Sequence, residues 1–387
     1  MHTVNDHNLP TVPVRVLHLT ISFARGGRRD AIVSLARAGR RHNLTPFLVT
    51  LRGSPTDVEA FAPEFDGHAQ LDLHGLPSMR QIHALRDICR NWGVQVVHAH
   101  DASSQFVASA LRLVAPSLRA VMTFHRSLGF ESAGAVNRLR NAVSLPLVHR
   151  VLTASEERRR HFLSENFVSR RKVTTIPLGI DLDRFRPDPA AREQVRAELG
   201  LAPGELLLAS AGHFGEEKGI DVALSATSAA RERRPDVPFR LAVMGTGTPE
   251  RQATLHALGE QLLGDRVLFL GQRSDPERIF AAADLVVHAP RLEAFGLVVV
   301  QAMASGAPVV AAAVGGIPEI VVDGTTGVLF PAADTEAAGE RIAALLGDPE
   351  GRERLGRAAL EFARREYPAD RFAGRHAQLY RELLGGD

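Results

Sequence analysis

The run Glu293-Ala-Phe-Gly-Leu-Val-Val-Val-Gln301-Ala-Met-Ala-Ser-Gly-Ala-Pro-Val-Val310 follows an apolar stretch, Asp284 to Pro290. The apolar stretch reads as a strand, and the quoted residues as a polar loop and then a helix that starts at a glycine. A carboxylate therefore sits at the mouth of the turn. The first amides of such a helix have no carbonyl partner within it, and the helix dipole makes that end positive, so it suits a phosphate. A carboxylate beside it is poorly placed to bind the anion and well placed to accept hydroxyl hydrogen bonds. Together they suit a nucleotide sugar, with its diphosphate on the amides and a sugar hydroxyl on Glu293.

The same run is similar to the Glu-x7-Glu signature of the retaining glycosyltransferases of family four. Members usually read Glu-Pro/Ala-Phe-Gly-Leu-x-x-x-Glu-Ala-Met-Ala-x-Gly-x-Pro-Val-Val. The pattern is followed closely except at its second acidic position, which is Gln301. The resemblance implies an α/β protein of the GT-B fold: two facing Rossmann-like doubly wound domains, with a C-terminal helix crossing back to the N-terminal domain. It also implies transfer of a sugar from a nucleoside diphosphate to an acceptor with retention, without a metal or a cofactor. In such proteins the first Glu contacts donor-sugar hydroxyls and the second contacts the ribose. Gln301 keeps a hydrogen-bonding side chain there but has no charge.

A second motif, Ala211-Gly-His-Phe-Gly-Glu-Glu-Lys-Gly219, follows another apolar run. It resembles the family's Gly-Arg-Leu-x-x-x-Lys-Gly, whose Arg and Lys neutralise the donor diphosphate. Lys218 matches the lysine, and only two lysines occur in the chain, Lys172 and Lys218. His213 replaces the arginine. An arginine offers a fixed charged fork, whereas a histidine is mostly neutral near pH 7, so the expected clamp is weaker and pH-dependent.

Other donor-site expectations rest on position after a strand. Gly26 and Gly27 can approach a ligand backbone-first because they carry no side chain. Gly212 and Gly245 (in Met244-Gly-Thr-Gly247) are turn glycines. Arg273, in Leu270-Gly-Gln-Arg273, belongs to a loop whose backbone contacts the base in relatives. Phe295, Gly296 and Leu297 form the phosphate-facing turn. His125, in Thr123-Phe-His125-Arg126, matches a histidine that points at the donor sugar or the acceptor. Expected catalytic residues are thus His125, Lys218 and Glu293. The Val-Val-His98-Ala-His100-Asp101 run could suggest a metal, but no third ligand stands at motif-like spacing. Met244-Gly-Thr-Gly247 lacks the third glycine and the following acid of a dinucleotide site.

The 387 residues, 45% hydrophobic and 23% charged, are enough for two separate cores. The single cysteine, Cys89, rules out a disulfide within the chain and fits a cytoplasmic protein. No N-terminal signal is evident, and the longest apolar region, Leu297 to Gly316, is broken by Gln301, Gly306 and Pro308. Charge is uneven: residues 1–186 carry 25 Lys+Arg against 15 Asp+Glu, so +10 there is balanced by −8 afterwards. The basic half suits a sugar-containing acceptor that is anionic or lipid-linked, and it leaves open peripheral contact with the inner face of a membrane. A helix expected from Ala135 to Arg150, with Arg138, Arg140 and Arg150, has either a surface-seeking or a core-facing reading. Nothing points to nucleic acid.

Strands are expected at Val14–Ile21, Phe47–Leu51, Val94–His98, Val121–Phe124, Val151–Thr153 and Val173–Ile176. A second set is expected at Leu206–Ala211, Phe239–Met244, Val267–Leu270, Leu285–His288 and Val309–Ala312, with helical patterns between. Such alternation implies right-handed crossovers and parallel sheets covered on both faces. The expected domains are residues 1–184 for the acceptor, with 1–12 disordered, 185–370 for the nucleotide sugar, and 371–387 as the returning helix. The alternatives left open are a non-catalytic nucleotide-sugar-binding protein and a sugar-nucleotide epimerase or phosphorylase of the same fold.

Overall fold

The computed structural model describes residues 12–24, 26–125 and 135–386. They form two compact units: Ile180–Pro368 makes the second, and the described residues on either side of it make the first. The units change over at Gly179 and Pro368, a few residues before the expected boundaries at 184 and 370. The expected disorder of residues 1–12 concerns residues that, Val12 apart, lie outside those described. Arg126 and the side chains of residues 135–139, Arg138 of the expected basic helix among them, also lie outside them.

Unit 1 is built on a seven-stranded sheet: β1 (Val14–Thr20), β2 (Leu44–Thr50), β3 (His68–Gln70), β4 (Val96–Ala99), β5 (Arg119–Phe124), β6 (Arg150–Thr153) and β7 (Val173–Thr175). The spatial order is 3-2-1-4-5-6-7, and every pairing is parallel. Unit 2 has six: β8 (Leu206–Ala211), β9 (Phe239–Met244), β10 (Val267–Gly271), β11 (Leu285–His288), β12 (Val309–Ala312) and β13 (Val328–Phe330), in the order 10-9-8-11-12-13, again all parallel. These are the doubly wound sheets expected from the alternation. Edge strands β3 and β13 escape the sequence reading because each has only three residues: His68–Gln70 shows no apolar run, and Val328–Phe330 is too short to stand out from a loop.

Central strands such as Leu206–Ala211 and Val309–Ala312 are apolar on both faces because helices cover both faces. The core of unit 2 gathers Leu208, Leu241, Val243, Val287 and Val310 under the helix Ile220–Arg233. In unit 1, Leu17, Leu19, Val97 and Ala99 face the helices Met79–Asn91 and Ala102–Val114. Cys89 is buried in that layer, and burial pushes its thiol up to about 12, so it behaves as a small hydrophobe. The opposite face of β1 and β4 is covered by the final helix, Ala369–Leu384, which buries Phe372, His376, Leu379 and Tyr380. Among the described residues no helix is long and apolar enough to cross a membrane.

Candidate active site

In a doubly wound sheet the ligand crevice lies at the carboxyl ends of the two strands between which the winding reverses. In unit 2 those are β8 and β11. Lys218 lies in the loop after β8 and Glu293 in the loop after β11, and Lys218 Nζ donates to Glu293 Oε2 at 2.9 Å. The two residues, 75 positions apart, are thus an ion pair at the reversal.

The loops are drawn together by backbone. Arg291 and Leu292 amides both donate to the Glu217 carbonyl, at 2.8 and 3.1 Å. Arg291 also reaches back to the Glu216 carbonyl and forks onto Asp221, at 2.9 and 2.6 Å. Gly219 has φ 59°, and a Cβ there would stand 1.9 Å from the Ala289 carbonyl oxygen. Gly315, in the loop after β12, would place one 1.7 Å from the Glu293 carbonyl oxygen. Any side chain at either position would push the Glu293 loop out of place, so glycine is required by contact as well as by conformation.

Glu293 is nearly buried, and burial alone would raise its pKa. His288 Nε2 at 3.5 Å and Lys218 more than reverse this, and the carboxyl is held well below the ordinary carboxylate range. The anion is therefore fixed, and its other oxygen accepts from the Ala294 amide at 3.1 Å. Three residues on, Gly296 takes φ 109° and caps the helix Leu297–Ala304. Val299 and Val300 amides donate to the Gly296 carbonyl, so the Leu297 and Val298 amides ahead of them belong to the first turn, without a carbonyl in the helix. Gln301 lies one turn after Leu297 on the same side of the helix and is half-buried.

Other expected residues have different settings. Gly212 and Gly245 adjoin the site: the Cα of Gly245 lies against the Gly212 carbonyl, and Gly212 backs onto the Lys218 side chain. His213 Nδ1 accepts from the Gly215 amide at 3.0 Å. Its lone pair there is used by the turn, which leaves Nε2 as the ring nitrogen available to a ligand. Arg273 is a strut, since its guanidinium spans Asp275 (2.9 and 2.8 Å) and Glu198 (2.6 Å). Phe295 is buried edge-on against Tyr367, with centroids 5.7 Å apart, and serves packing.

In unit 1 the winding reverses between β1 and β4. Gly26 and Gly27 follow β1 and start the helix Gly27–Gly39; Gly26 has φ 148° with open space around its Cα. Asp101, after β4, caps its own helix and accepts from the Ile21 amide at 2.7 Å, joining the two loops. His125 follows β5, and its Nε2 pairs with His100 Nδ1 at 3.0 Å. His98 and His100 are buried with His18, and one ligand atom from each lies within 4.8 Å of the others. His18 is the third imidazole that spacing could not reveal, because it comes from another strand. Both His98 nitrogens, however, are already bonded at 2.6 Å, to Tyr380 and Thr123 hydroxyls, so a metal ion would have to displace one of them. Spacing likewise missed His288, Arg291, Asp221, Gly315 and His376. Only Arg291 and His288 had a signal, both lying within five residues of Glu293.

Two doubly wound parallel sheets, the second with a charged pair at its reversal point, define a two-domain α/β transferase scaffold of the GT-B type. The family model described as "Glycosyl transferases group 1" matches residues 191–362, and "Glycosyltransferase Family 4" matches residues 26–184. A "D-inositol 3-phosphate glycosyltransferase" of Corynebacterium aurimucosum is 32% identical over 289 residues, 71% of this chain and 69% of that one. One of Nocardia farcinica is 36% identical over 221 residues, 55% of this chain. That match spans 48% of the Nocardia protein, so the chain covers about half the length of some of the curated relatives it matches. Anabaena Alr3699/HepE, solved with UDP and glucose, superposes with a TM-score of 0.84 over 95% of this chain and 100% of that one, at 19% identity. The chain belongs to the group 1, family 4 glycosyltransferases.

Proposed function

We propose that the protein moves a sugar from a nucleoside diphosphate to an anionic, sugar-like or polyol phosphate acceptor, with retention and without a metal. The observation that carries this is the Lys218–Glu293 pair at 2.9 Å beside the open first turn of Leu297–Ala304. Breaking the donor's glycosidic bond puts negative charge on the β-phosphate. Lys218 and the amides of Leu297 and Val298 stabilise that charge, with the His213 Nε2–H beside them. Fixed as an anion, Glu293 accepts hydrogen bonds from sugar hydroxyls, and Gln301 meets the ribose. Unit 1 supplies the acceptor side, with His125 as its polar group and Gly26 and Gly27 as close-approach backbone. Its basic charge suits a phosphorylated or lipid-borne acceptor and peripheral contact with an acidic membrane. Relatives named for an inositol phosphate support an acceptor of that chemistry.

The other carboxylate named near the Glu293 loop, Asp221, is held by Arg291 and Arg251, which favours a single-face transfer over a covalent glycosyl intermediate. A second reading, binding without turnover, draws on Gln301 and His213, since both soften the donor grip. The test is a thermal-shift screen of UDP- and GDP-sugars, followed by turnover with inositol phosphates and other polyol phosphates, with and without EDTA. At a hundred times its Kd a donor adds about 2.7 kcal/mol of stability, a readily measured shift. One donor class should shift the melting temperature and be consumed equally in EDTA, giving a product of unchanged anomeric configuration by NMR. A shift without consumption would favour the binding protein, and an inverted product or a lack of any shift would overturn the proposal.

A further inference from the structure

The polar face of the unit 1 sheet is unusual in what it buries. In a parallel sheet, residues two apart share a face, and register fixes which neighbours join them. His18 pairs with His98 across β1 and β4, and His98 with Val121 across β4 and β5. Stepping by two along each strand brings His100, Thr123 and His125 onto the same face. The final helix closes over it with His376 and Tyr380.

Within this layer three rings form a line: His18 Nδ1 lies 3.0 Å from His100 Nε2, and His100 Nδ1 lies 3.0 Å from His125 Nε2. The His100 and His125 rings stack at 5.3 Å between centroids. His98 lies tilted against His100, with centroids 4.2 Å apart, but bonds Tyr380 and Thr123 instead, so it flanks the line. The His376 Nδ1 proton is committed to the Phe372 carbonyl at 2.8 Å. Burial, and secondarily the neighbouring imidazoles and Arg28, lowers the pKa of all three rings in the line, so each is neutral and carries one N–H.

That condition couples them. If His18 donates from Nδ1, His100 accepts on Nε2, carries its own proton on Nδ1 and donates to His125 Nε2. His125 then carries its proton on Nδ1. If His125 instead donates from Nε2, every proton in the line sits on Nε2, and His125 Nδ1 is a bare acceptor. A mixed arrangement sets two lone pairs or two N–H groups against each other in a buried site, which is costly. The line therefore has two states, and they differ in whether His125 Nδ1 donates or accepts.

We propose that His18 and His100 form an imidazole relay that sets the hydrogen-bonding sense of His125, and so are positioning residues for the transfer reaction. The reaction part rests on the acceptor-side role assigned to His125 above; the coupling itself does not. His18 has no direct bond to His125, so its influence must pass through His100.

The experiment uses the full chain with 15N-labelled histidine and variants at position 18. In the wild-type protein the ring 15N shifts of His18, His100 and His125 should report one common tautomer. His18→Leu cuts the line, so the His125 shifts should change and kcat should fall about tenfold with donor KM little altered. His18→Asn, whose amide can present either an N–H or an oxygen near the Nδ1 position, should restore both. Mixed tautomers in the wild-type protein, or unchanged His125 shifts in a folded His18→Leu protein, would overturn the relay. Shifts that move while kcat does not would overturn the positioning role. A wild-type protein that consumes no donor counts against the glycosyltransfer reading, and the tautomer pattern still judges the relay. Should His18→Leu fail to fold, His100→Gln serves the same comparison, since the relay requires it to change the His125 shifts.

Discussion

At the winding reversal of unit 1 the buried polar groups are imidazoles that burial has made neutral, bonded ring to ring. At the reversal of unit 2 they are a carboxylate and an ammonium that remain charged and hold each other. Both solutions leave a polar cluster inside an apolar sheet, but through opposite chemistry. Neutralisation is inexpensive only for groups whose pKa is close to neutral, which is why the first cluster is made of histidines. A carboxylate needed as a fixed anion has to be paired, and Glu293 is paired with Lys218 and has His288 Nε2 3.5 Å away. The first arrangement can change its hydrogen-bonding sense without moving charge. The second offers a constant field to an incoming phosphate and sugar.

Acid should break this symmetry most strongly. His18 and His125 are lowered to about 3 and His376 to about 4, from 6.5 in the unfolded chain. Below 6.5 the unfolded chain therefore binds more protons than the folded one. The stabilisation is complete above that pH and declines as pH falls toward 3–4, by up to about 1.4 kcal/mol per pH unit for each independent ring. Glu293 also has a lowered pKa, so its contribution persists until pH drops below its unfolded value of 4.5. At pH 5.5, then, unit 1 should weaken while unit 2 holds. The single tryptophan, Trp92, stacks on Phe47 in unit 1 and reports that unit. Urea unfolding followed by its fluorescence should lose several kcal/mol between pH 7.5 and 5.5, and a flat profile would remove the contrast.

The next largest effect concerns the charged pair. Lys218→Ala removes the cation from the proposed leaving-group site, and turnover should drop at least about tenfold. Steady-state kinetics with the identified donor would check this, and unchanged kinetics would take Lys218 out of the mechanism. A smaller change would sharpen the picture. Gln301→Glu should tighten donor binding by up to about tenfold if position 301 meets the ribose, because a hydrogen bond to a charged group is worth more than one to a neutral group. Calorimetric titration would show it, and an unaltered affinity would place the ribose elsewhere.

Much of the architecture was legible because it rests on local pattern. Leu206–Ala211 and Val309–Ala312 are strands by composition alone, and the helix Met79–Asn91 is legible because Ser78 caps it and its apolar residues recur at helical spacing. Lys218 and Glu293 stood out by motif and by the rarity of lysine. The roles of Arg273 and Phe295 were less legible, because an ion-pair strut and a buried ring look the same in sequence as residues that line a site. Gly315 could not be ranked above other glycines, since its necessity is a carbonyl oxygen 1.7 Å from a hypothetical Cβ.

Periodicity and turn chemistry act over a few residues, and from them the chain alone determined two parallel α/β units, their post-strand loops and the polar groups those loops carry. Which groups meet is a matter of strand order and register, set by packing between segments far apart in sequence. Only the folded sheets bring Lys218 to Glu293 across 75 positions, and His18 to His100 across 82. Burial, which exists only once the chain is packed, then makes one cluster neutral and leaves the other charged.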